Sequence, residues 1–258
     1  MPLPMFKKNY YLISLWLVLG CLSGLLISSF FGKTEIHIPI YHNISNVLER
    51  TSPSVVNIWT SEKFRDWQEQ YNKLGRKFNT LVVKERFIPN GSGVVFEKDL
   101  IVTNFHVIKY SLKQELLLEN HLGERSAAQI LAYDAEADIA ILGVIDPIDL
   151  KPVKMRKNID QGKIGESVIA IGNPQGVGQS FSKGIVSAIR TLNDKKGSFI
   201  QTDASINPGS SGGALIDDKG RLIGMVISIQ TTTGVDQGIN FAIPINTVIE
   251  VFNSLLNR

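Results

Sequence analysis

Cysteine is almost missing from this sequence: Cys21 is the single one in 258 residues. That excludes an intramolecular disulfide framework and leaves everything after residue 21 without a thiol, a composition that fits either redox compartment. A strong charge of one sign is missing too. Lys and Arg number 27 against 24 Asp and Glu, a scattered net charge of +3, so nothing supports nucleic-acid binding. The glycine-rich run Gly172–Gly178 (GNPQGVG) has neither a P-loop Lys-Ser/Thr pair nor dinucleotide glycine spacing. A mobile surface loop is therefore a better account than a phosphate cradle. No cofactor and no metal is expected. Histidine is scarce, with four in all (His37, His42, His106, His121). What is plentiful is apolar material, 43% of the residues.

Part of it lies in one block. Asn9 to Gly32 carries no charge, and about 20 apolar residues suffice to span a bilayer core as a helix. Lys7 and Lys8 precede the block, whereas Glu35 soon follows Lys33. The positive-inside bias therefore puts the N-terminus in the cytoplasm and the rest across the membrane. A cleaved signal peptide would end on small residues, but the exit here is Ser28-Ser29-Phe30-Phe31. Val18-Leu19-Gly20-Cys21 loosely resembles a lipoprotein cleavage box, yet the apolar run continues well past it. An uncleaved anchor over residues 10–32 is expected, with domain 1–33 as cytoplasmic end and anchor, and 34–51 as linker and short helix. The roughly 220 residues left can bury the core of one two-barrel domain.

That domain, 52–258, reads as strands. Ser54–Thr60 (SVVNIWT) is β-branched and aromatic, as a buried strand requires. Phe64, Trp67, Tyr71, Leu74 and Phe78 recur at three and four residues within Ser61–Arg86, which predicts an amphipathic helix. That helix would pack on its own domain or offer a contact surface. Gly91-Ser92-Gly93 predicts a tight turn into the strand that follows, and His106 falls in a short turn after a strand ending at Thr103. Asp134, Glu136 and Asp138 share the turn before the apolar run Ile139–Leu142. Asp138, next to that buried strand, could be desolvated and still reach an imidazole; the other two compete. Val248, Ile249, Phe252, Leu255 and Leu256 make one face of a C-terminal helix, 246–256, with Thr247 and Glu250 suited to a capping box.

The chain is organised around Phe199–Leu215 (FIQTDASINPGSSGGAL). Gly209 can take the positive φ that aims peptide N–H groups into a concavity, and the glycines after Ser211 let backbone crowd its hydroxyl. A serine beside such donors suits acyl transfer, a nucleophile with an oxyanion hole. Gly209–Gly213 also fits the G-x-S-x-G elbow, but elbow hydrolases place their histidine after the serine, and all four histidines here precede Ser211. The order His, Asp, Ser survives, as in chymotrypsin-like architectures. No acid lies in Ala204–Asn207, so a Lys- or Arg-selecting pocket is not expected from that side. Ile206, Ile227 and Ile229 are candidates for its wall, which predicts cleavage after small or medium aliphatic residues.

TNFHVI, DAEADIAIL, IGNPQG, SKGIVSAI, QTDASINPGSSGGAL and QGINFAIP together resemble the HtrA family of trypsin-like serine proteases, over roughly Ser52 to Asn253. With the anchor, the chain looks most like its DegS branch, which implies a bacterial inner-membrane protein with its protease domain in the periplasm. The resemblance implies an all-β fold of two six-stranded Greek-key barrels, about 52–150 and 151–245, between the transmembrane and C-terminal helices. It implies His106, Asp138 and Ser211 as a triad and the backbone N–H groups around Gly209, Ser210 and Ser211 as the oxyanion hole. It also implies protein or peptide substrates, a homotrimer, and regulatory loops at 61–86, 173–183 and 190–197. Two departures stand out. Ser210 replaces the family's usual asparagine. The sequence runs only fifteen residues past Ile243, so no PDZ domain is expected in this chain. A second function class, a binding or holding protein silent until a partner orders its loops, is carried beside the protease.

Overall fold

The structure is a computed structural model that describes residues 15–17, 19–20, 43–71, 76–112, 114–156, 162–191, 197–228 and 238–257. The chain divides into two compact units, Met1–Tyr41 and His42–Arg258. In the first, residues 15–17 and 19–20 are helical. Among the described residues no helix is long and apolar enough to cross a membrane. Most of the expected anchor lies outside the described residues.

The second unit opens with helix α1 (Ile44–Thr51), capped by Asn43, whose side chain accepts from the Ser45 N–H at 3.0 Å. A 3-10 turn at Ser52–Ser54 leads into the first barrel. Its strands are β1 (Val55–Tyr71), β2 (Lys77–Glu97), β3 (Leu100–Thr103), β4 (Leu116–Glu119), β5 (Arg125–Asp134) and β6 (Ile139–Val144). They close in the order β1-β2-β3-β6-β5-β4, with the short helix α2 (Phe105–Ile108) between β3 and β4.

The second barrel comprises β8 (Ser167–Gly172), β9 (Ser180–Thr191), β10 (Ser198–Thr202), β11 (Ala214–Asp217), β12 (Arg221–Ile227) and β13 (Asn240–Pro244). Pairing of β11 with both β8 and β12 closes these six strands, while β7 (Lys154–Met155) lies parallel on the edge of β12. Helix α3 (Ile245–Leu255) follows β13 without a loop.

Period-two alternation builds three apolar layers. Val56, Ile58, Ile101 and Leu142 point into the first barrel; Val168, Ile200, Leu215 and Val226 into the second. The alternate residues form a layer between them: Val55, Val102 and Ile141 from one barrel meet Ile171, Ile216 and Met225 from the other. Phe252 of α3 joins this layer and packs on Phe96 at 4.6 Å between ring centroids. Each fully buried Val, Leu, Ile or Phe contributes about 1.5–3 kcal/mol. The exposed Glu62–Arg86 pair contributes about 0–1 kcal/mol, so the three layers carry the fold.

Three expectations need correction. Ser61–Arg86 is not a helix. Its two arms continue β1 and β2 as one hairpin, paired in register from Ser61↔Phe87 to Tyr71↔Lys77. The ladder runs out of the barrel, and a second arm containing Phe78, Thr80, Val82, Val83 and Phe87 suits a strand better than a helix. Leu74 lies outside the described residues. Gly91-Ser92-Gly93 is not a turn but part of β2. A Cβ at Gly91 would sit 2.7 Å from the Val107 methyls, and one at Gly93 2.6 Å from Ile101; these glycines permit close approach, not reversal. The capping box is absent as well. The chain enters α3 at Pro244, which makes no side-chain cap, so Thr247 and Glu250 lie inside the helix.

Candidate active site

Helix α2, between β3 and β4, carries the imidazole. The His106 N–H donates to Asp138 Oδ1 at 2.9 Å, and ring Nδ1 lies 2.8 Å from Oδ2 and 3.1 Å from Oδ1. A carboxylate at those distances assigns the proton to Nδ1 and leaves Nε2 as the basic nitrogen.

Asp138 itself is held through its backbone. It stands at φ +57°, a left-handed conformation that an Asp tolerates better than most residues. Its carbonyl accepts from the Phe105 N–H at 3.2 Å and from Asn104 Nδ2 at 3.0 Å. The other two acids do different work. Asp134 Oδ1 accepts from the N–H groups of Glu136 and Ala137, closing the turn, and Glu136 is exposed. Of the three candidates, the structure therefore brings Asp138 to His106.

The serine loop is built on backbone. Gly209 and Gly212 have φ +97° and +82°, and a Cβ at Gly212 would sit 2.2 Å from Ser92 O and 3.2 Å from Asn104 N. The loop thus abuts the residue two before His106. Its three carbonyls are all engaged: Gly209 O accepts from Ser92 Oγ at 2.8 Å, Ser210 O from the Gly213 N–H at 3.0 Å, and Ser211 O from the Ser92 N–H at 2.8 Å. The Ser210 N–H is spent on Asn207 O at 3.0 Å. Those of Gly209 and Ser211 have no acceptor among the described residues. Two N–H groups left without an acceptor beside a serine can stabilise an oxyanion if they converge on it.

The Ser211 hydroxyl is 5% exposed as part of its residue, and its oxygen accepts from the Ser228 N–H at 3.0 Å. Among the described residues no hydrogen bond joins it to His106. His106 and Asp138 are brought together; Ser211 faces Ser228.

Ile206 and Ile227 lie in different apolar layers. Ile206 is buried in the interior of the second barrel, Ile227 in the layer between the barrels, and Ile229 lies outside the described residues. Beside Ser210 a cleft of about 220 Å³ is lined by Ala170, Gly172, Phe181, Asn207 and hydroxyl side chains, with no charged group. Among the described residues no three His, Cys, Asp or Glu side chains are placed to hold a metal.

Ser92, Asn104 and Ser228 also hold this site together, and their signals in the sequence are faint. The signal at Ser92 was its pair of flanking glycines, which marks a strand pressed against another segment. The bonds of Asn104 and Ser228 span 34 and 17 residues, and no local pattern announces them.

The profile of the trypsin-like peptidase domain matches residues 91–225. A probable periplasmic serine endoprotease, DegP-like, of Buchnera aphidicola subsp. Baizongia pistaciae is 39% identical over 83% of this chain and 49% of its own length. The serine endoprotease DegS of Haemophilus influenzae is 36% identical over 83% of this chain and 61% of its own. Among solved structures, the HtrA-type protease AlgW with a decapeptide superposes with a TM-score of 0.74 at 33% identity, covering 83% of this chain and 67% of that one. The chain thus spans about half the length of the first of these relatives.

Proposed function

Because this chain belongs to the HtrA family of trypsin-like peptidases, we propose that it is a serine endopeptidase with His106, Asp138 and Ser211 as its triad. One observation carries the reading. Every carbonyl of the Gly209–Ser211 loop is engaged, while the N–H groups of Gly209 and Ser211 are open beside a serine.

In the reaction, the Ser211 hydroxyl leaves the Ser228 N–H by rotating about its side-chain bond and turns to Nε2 of His106. Nε2 takes the proton as Oγ attacks the peptide carbonyl, and returns it to the leaving amine. Asp138 keeps Nδ1 protonated and stabilises the imidazolium. The tetrahedral oxyanion receives the Gly209 and Ser211 N–H groups, with Ser210 N–H holding the turn between them; one such donor contributes about 3 kcal/mol. Water then hydrolyses the acyl-enzyme by the same steps.

The substrates are protein or peptide chains cut after small or medium aliphatic residues, consistent with the uncharged cleft and the absence of an acid in Ala204–Asn207. Residues 10–32 anchor the chain in the inner membrane with the protease domain in the periplasm, and the chain assembles as a homotrimer. The charge-free run and the preceding Lys7 and Lys8 support the first; family likeness supports the second.

A second reading has an observation of its own. The Ser228 N–H bond to Ser211, with no hydrogen bond from Ser211 to His106 among the described residues, supports a resting state, which would suit a binding or holding protein silent until activated. Fluorophosphonate labelling of the purified chain across a concentration series separates the two, with Ser211→Ala as control. Labelling at Ser211 supports the peptidase, and labelling that rises with concentration supports activation by assembly. A chain that stays unlabelled in the presence of substrate proteins sinks the peptidase reading.

A further inference from the structure

We propose that Ser92, on a strand of the first barrel, is a positioning residue whose hydroxyl sets the oxyanion loop of the second. The proposal rests on the peptidase reading above and adds a residue to it.

Ser92 is fully buried and makes four hydrogen bonds. Its N–H donates to Ser211 O at 2.8 Å, and its carbonyl accepts from Thr103 Oγ1 at 2.7 Å. Its hydroxyl donates to Gly209 O at 2.8 Å and accepts from the Asn173 N–H at 2.9 Å. The polarity of that hydroxyl is dictated. A backbone N–H can only donate, so Oγ is the acceptor toward Asn173 and its proton is committed to the Gly209 carbonyl.

The consequence falls on the peptide planes of the loop. The Gly209–Ser210 plane is pinned at both ends, its oxygen by Ser92 Oγ and its N–H by Asn207 O. The Ser211–Gly212 plane is pinned likewise, by the Ser92 N–H and by Val226 O, which accepts from the Gly212 N–H at 2.9 Å. Between and before them lie the two planes whose N–H groups, on Gly209 and Ser211, are open. One residue of the first barrel therefore supplies two of the three contacts that hold the loop's carbonyls. Without the hydroxyl, Gly209 O would lose its partner in a loop where glycine offers no steric resistance to a peptide flip. A flip would turn a carbonyl toward the place an oxyanion needs to occupy.

The same hydroxyl ties this loop to another. Asn173 is buried, its Oδ1 accepts from the Gly178 N–H at 2.8 Å, and Gln179 Nε2 donates to the carbonyls of Ser52 and Val55. Movement of segment 173–179 thus reaches the Gly209 carbonyl through one side chain. This physical route needs no contact between that segment and Ser211.

The test compares wild type with Ser92→Ala and Ser92→Cys, the latter nearly isosteric but a weak donor. Four quantities are read: kcat and KM on a peptide the wild type cleaves, affinity for a peptidyl boronic acid, melting temperature, and the amide resonances of Gly209 and Ser211. Loss of one aligned donor costs about 100-fold or more, and misalignment is expected to cost Ser92→Ala about 10- to 100-fold in kcat. KM should stay within about twofold, and boronate affinity should fall in parallel with kcat, because both report the tetrahedral species. Ser92→Cys should fall between the two. If the variants lower the melting temperature but keep wild-type kcat, boronate affinity and amide resonances, Ser92 is merely structural and the proposal is overturned. Should Ser92→Ala not fold, the cysteine variant carries the same comparison. A wild type that cleaves nothing counts against the peptidase reading; the amide resonances still decide whether Ser92 sets the loop.

Discussion

The two barrels meet at the site with different materials. The first supplies side chains: a carboxylate fixed at φ +57° by two donors to its carbonyl, and an imidazole bonded to that carboxylate through both its backbone and its ring. The second supplies backbone: a loop of glycines and serines whose carbonyls are tied and whose N–H groups are left open. Orienting an imidazole by a carboxylate needs particular functional groups at particular places, so that half is built from identity. An oxyanion site needs donors aimed at a point, so it is built from conformation. Only the hydroxyl of Ser211 breaks the pattern, a side chain of the second barrel whose oxygen accepts from the Ser228 N–H.

The steepest loss is expected at that hydroxyl. Ser211→Ala should lower kcat by about 10⁶-fold, as loss of a triad nucleophile does, with the melting temperature nearly unchanged. Retained turnover in steady-state assays would remove Ser211 from the mechanism. Next comes the carboxylate. Asp138→Asn should cost about 10⁴-fold in kcat, because an amide no longer enforces the Nδ1–H tautomer. Asparagine tolerates positive φ as well as aspartate does, so circular dichroism and thermal melting should report an intact fold. A variant within tenfold of wild type would mean that Asp138 does not orient His106.

These residues were legible for different reasons. The nucleophile loop announces itself locally, since glycines beside a serine have few other uses, and the order of histidine and serine removes the elbow alternative. His106 and Asp138 needed more. Its place before the buried strand favours Asp138 over Asp134 and Glu136 only weakly, and the family resemblance points to the one that the fold brings to the imidazole. The hairpin at Ser61–Arg86 was misread because aromatic spacing of three and four mimics a helix face, whereas an extending antiparallel ladder overrides it. Ser92 was hidden because its hydroxyl bonds span 117 and 81 residues. The bond from Ser228 to Ser211 was out of reach for another reason: a side-chain rotation leaves no trace in sequence.

A smaller effect sharpens the contrast on the first barrel's side. Asn104 is fully buried and its Nδ2 donates to the Asp138 carbonyl. Asn104→Ala should cost about 0.5–1.5 kcal/mol of stability, the net worth of one hydrogen bond to an acceptor that keeps a second donor. Its loss in kcat should be smaller than that of Asp138→Asn, since the Phe105 N–H still holds the same carbonyl. Urea denaturation and steady-state kinetics on one preparation read both. A variant as inactive as Asp138→Asn would mean that Asn104 alone sets the carboxylate.

The smallest effect tests whether the division of materials is local to the site. The second barrel also holds a side-chain charge cluster. Arg156 Nη1 donates to Glu166 Oε2 at 3.1 Å, the Lys163 N–H donates to the same oxygen at 3.0 Å, and Arg221 Nε donates to the buried Asp217 at 2.8 Å. Burial pushes the Glu166 carboxyl up. The Arg156 hydrogen bonds, the Lys163 N–H and the Arg156 charge outweigh burial and the opposing Asp217 charge, holding it below its ordinary value of 4.5. A carboxyl depressed in the folded state stabilises the fold above its unfolded pKa, and that contribution is lost as pH falls through the folded value. Glu166→Gln should therefore melt lower than wild type at pH 7, by on the order of 2 °C, and the two curves should converge as pH drops below about 4. Calorimetry from pH 7 to pH 3 reads the gap directly. Peptidase activity at pH 7 should not change, because the Glu166 carboxylate bonds to Arg156 and to the Lys163 N–H, away from the serine loop and the imidazole. A gap that persists unchanged to pH 3 would mean that Glu166 acts through packing rather than charge. A loss of activity would mean that the second barrel, too, works through its charged side chains at the site.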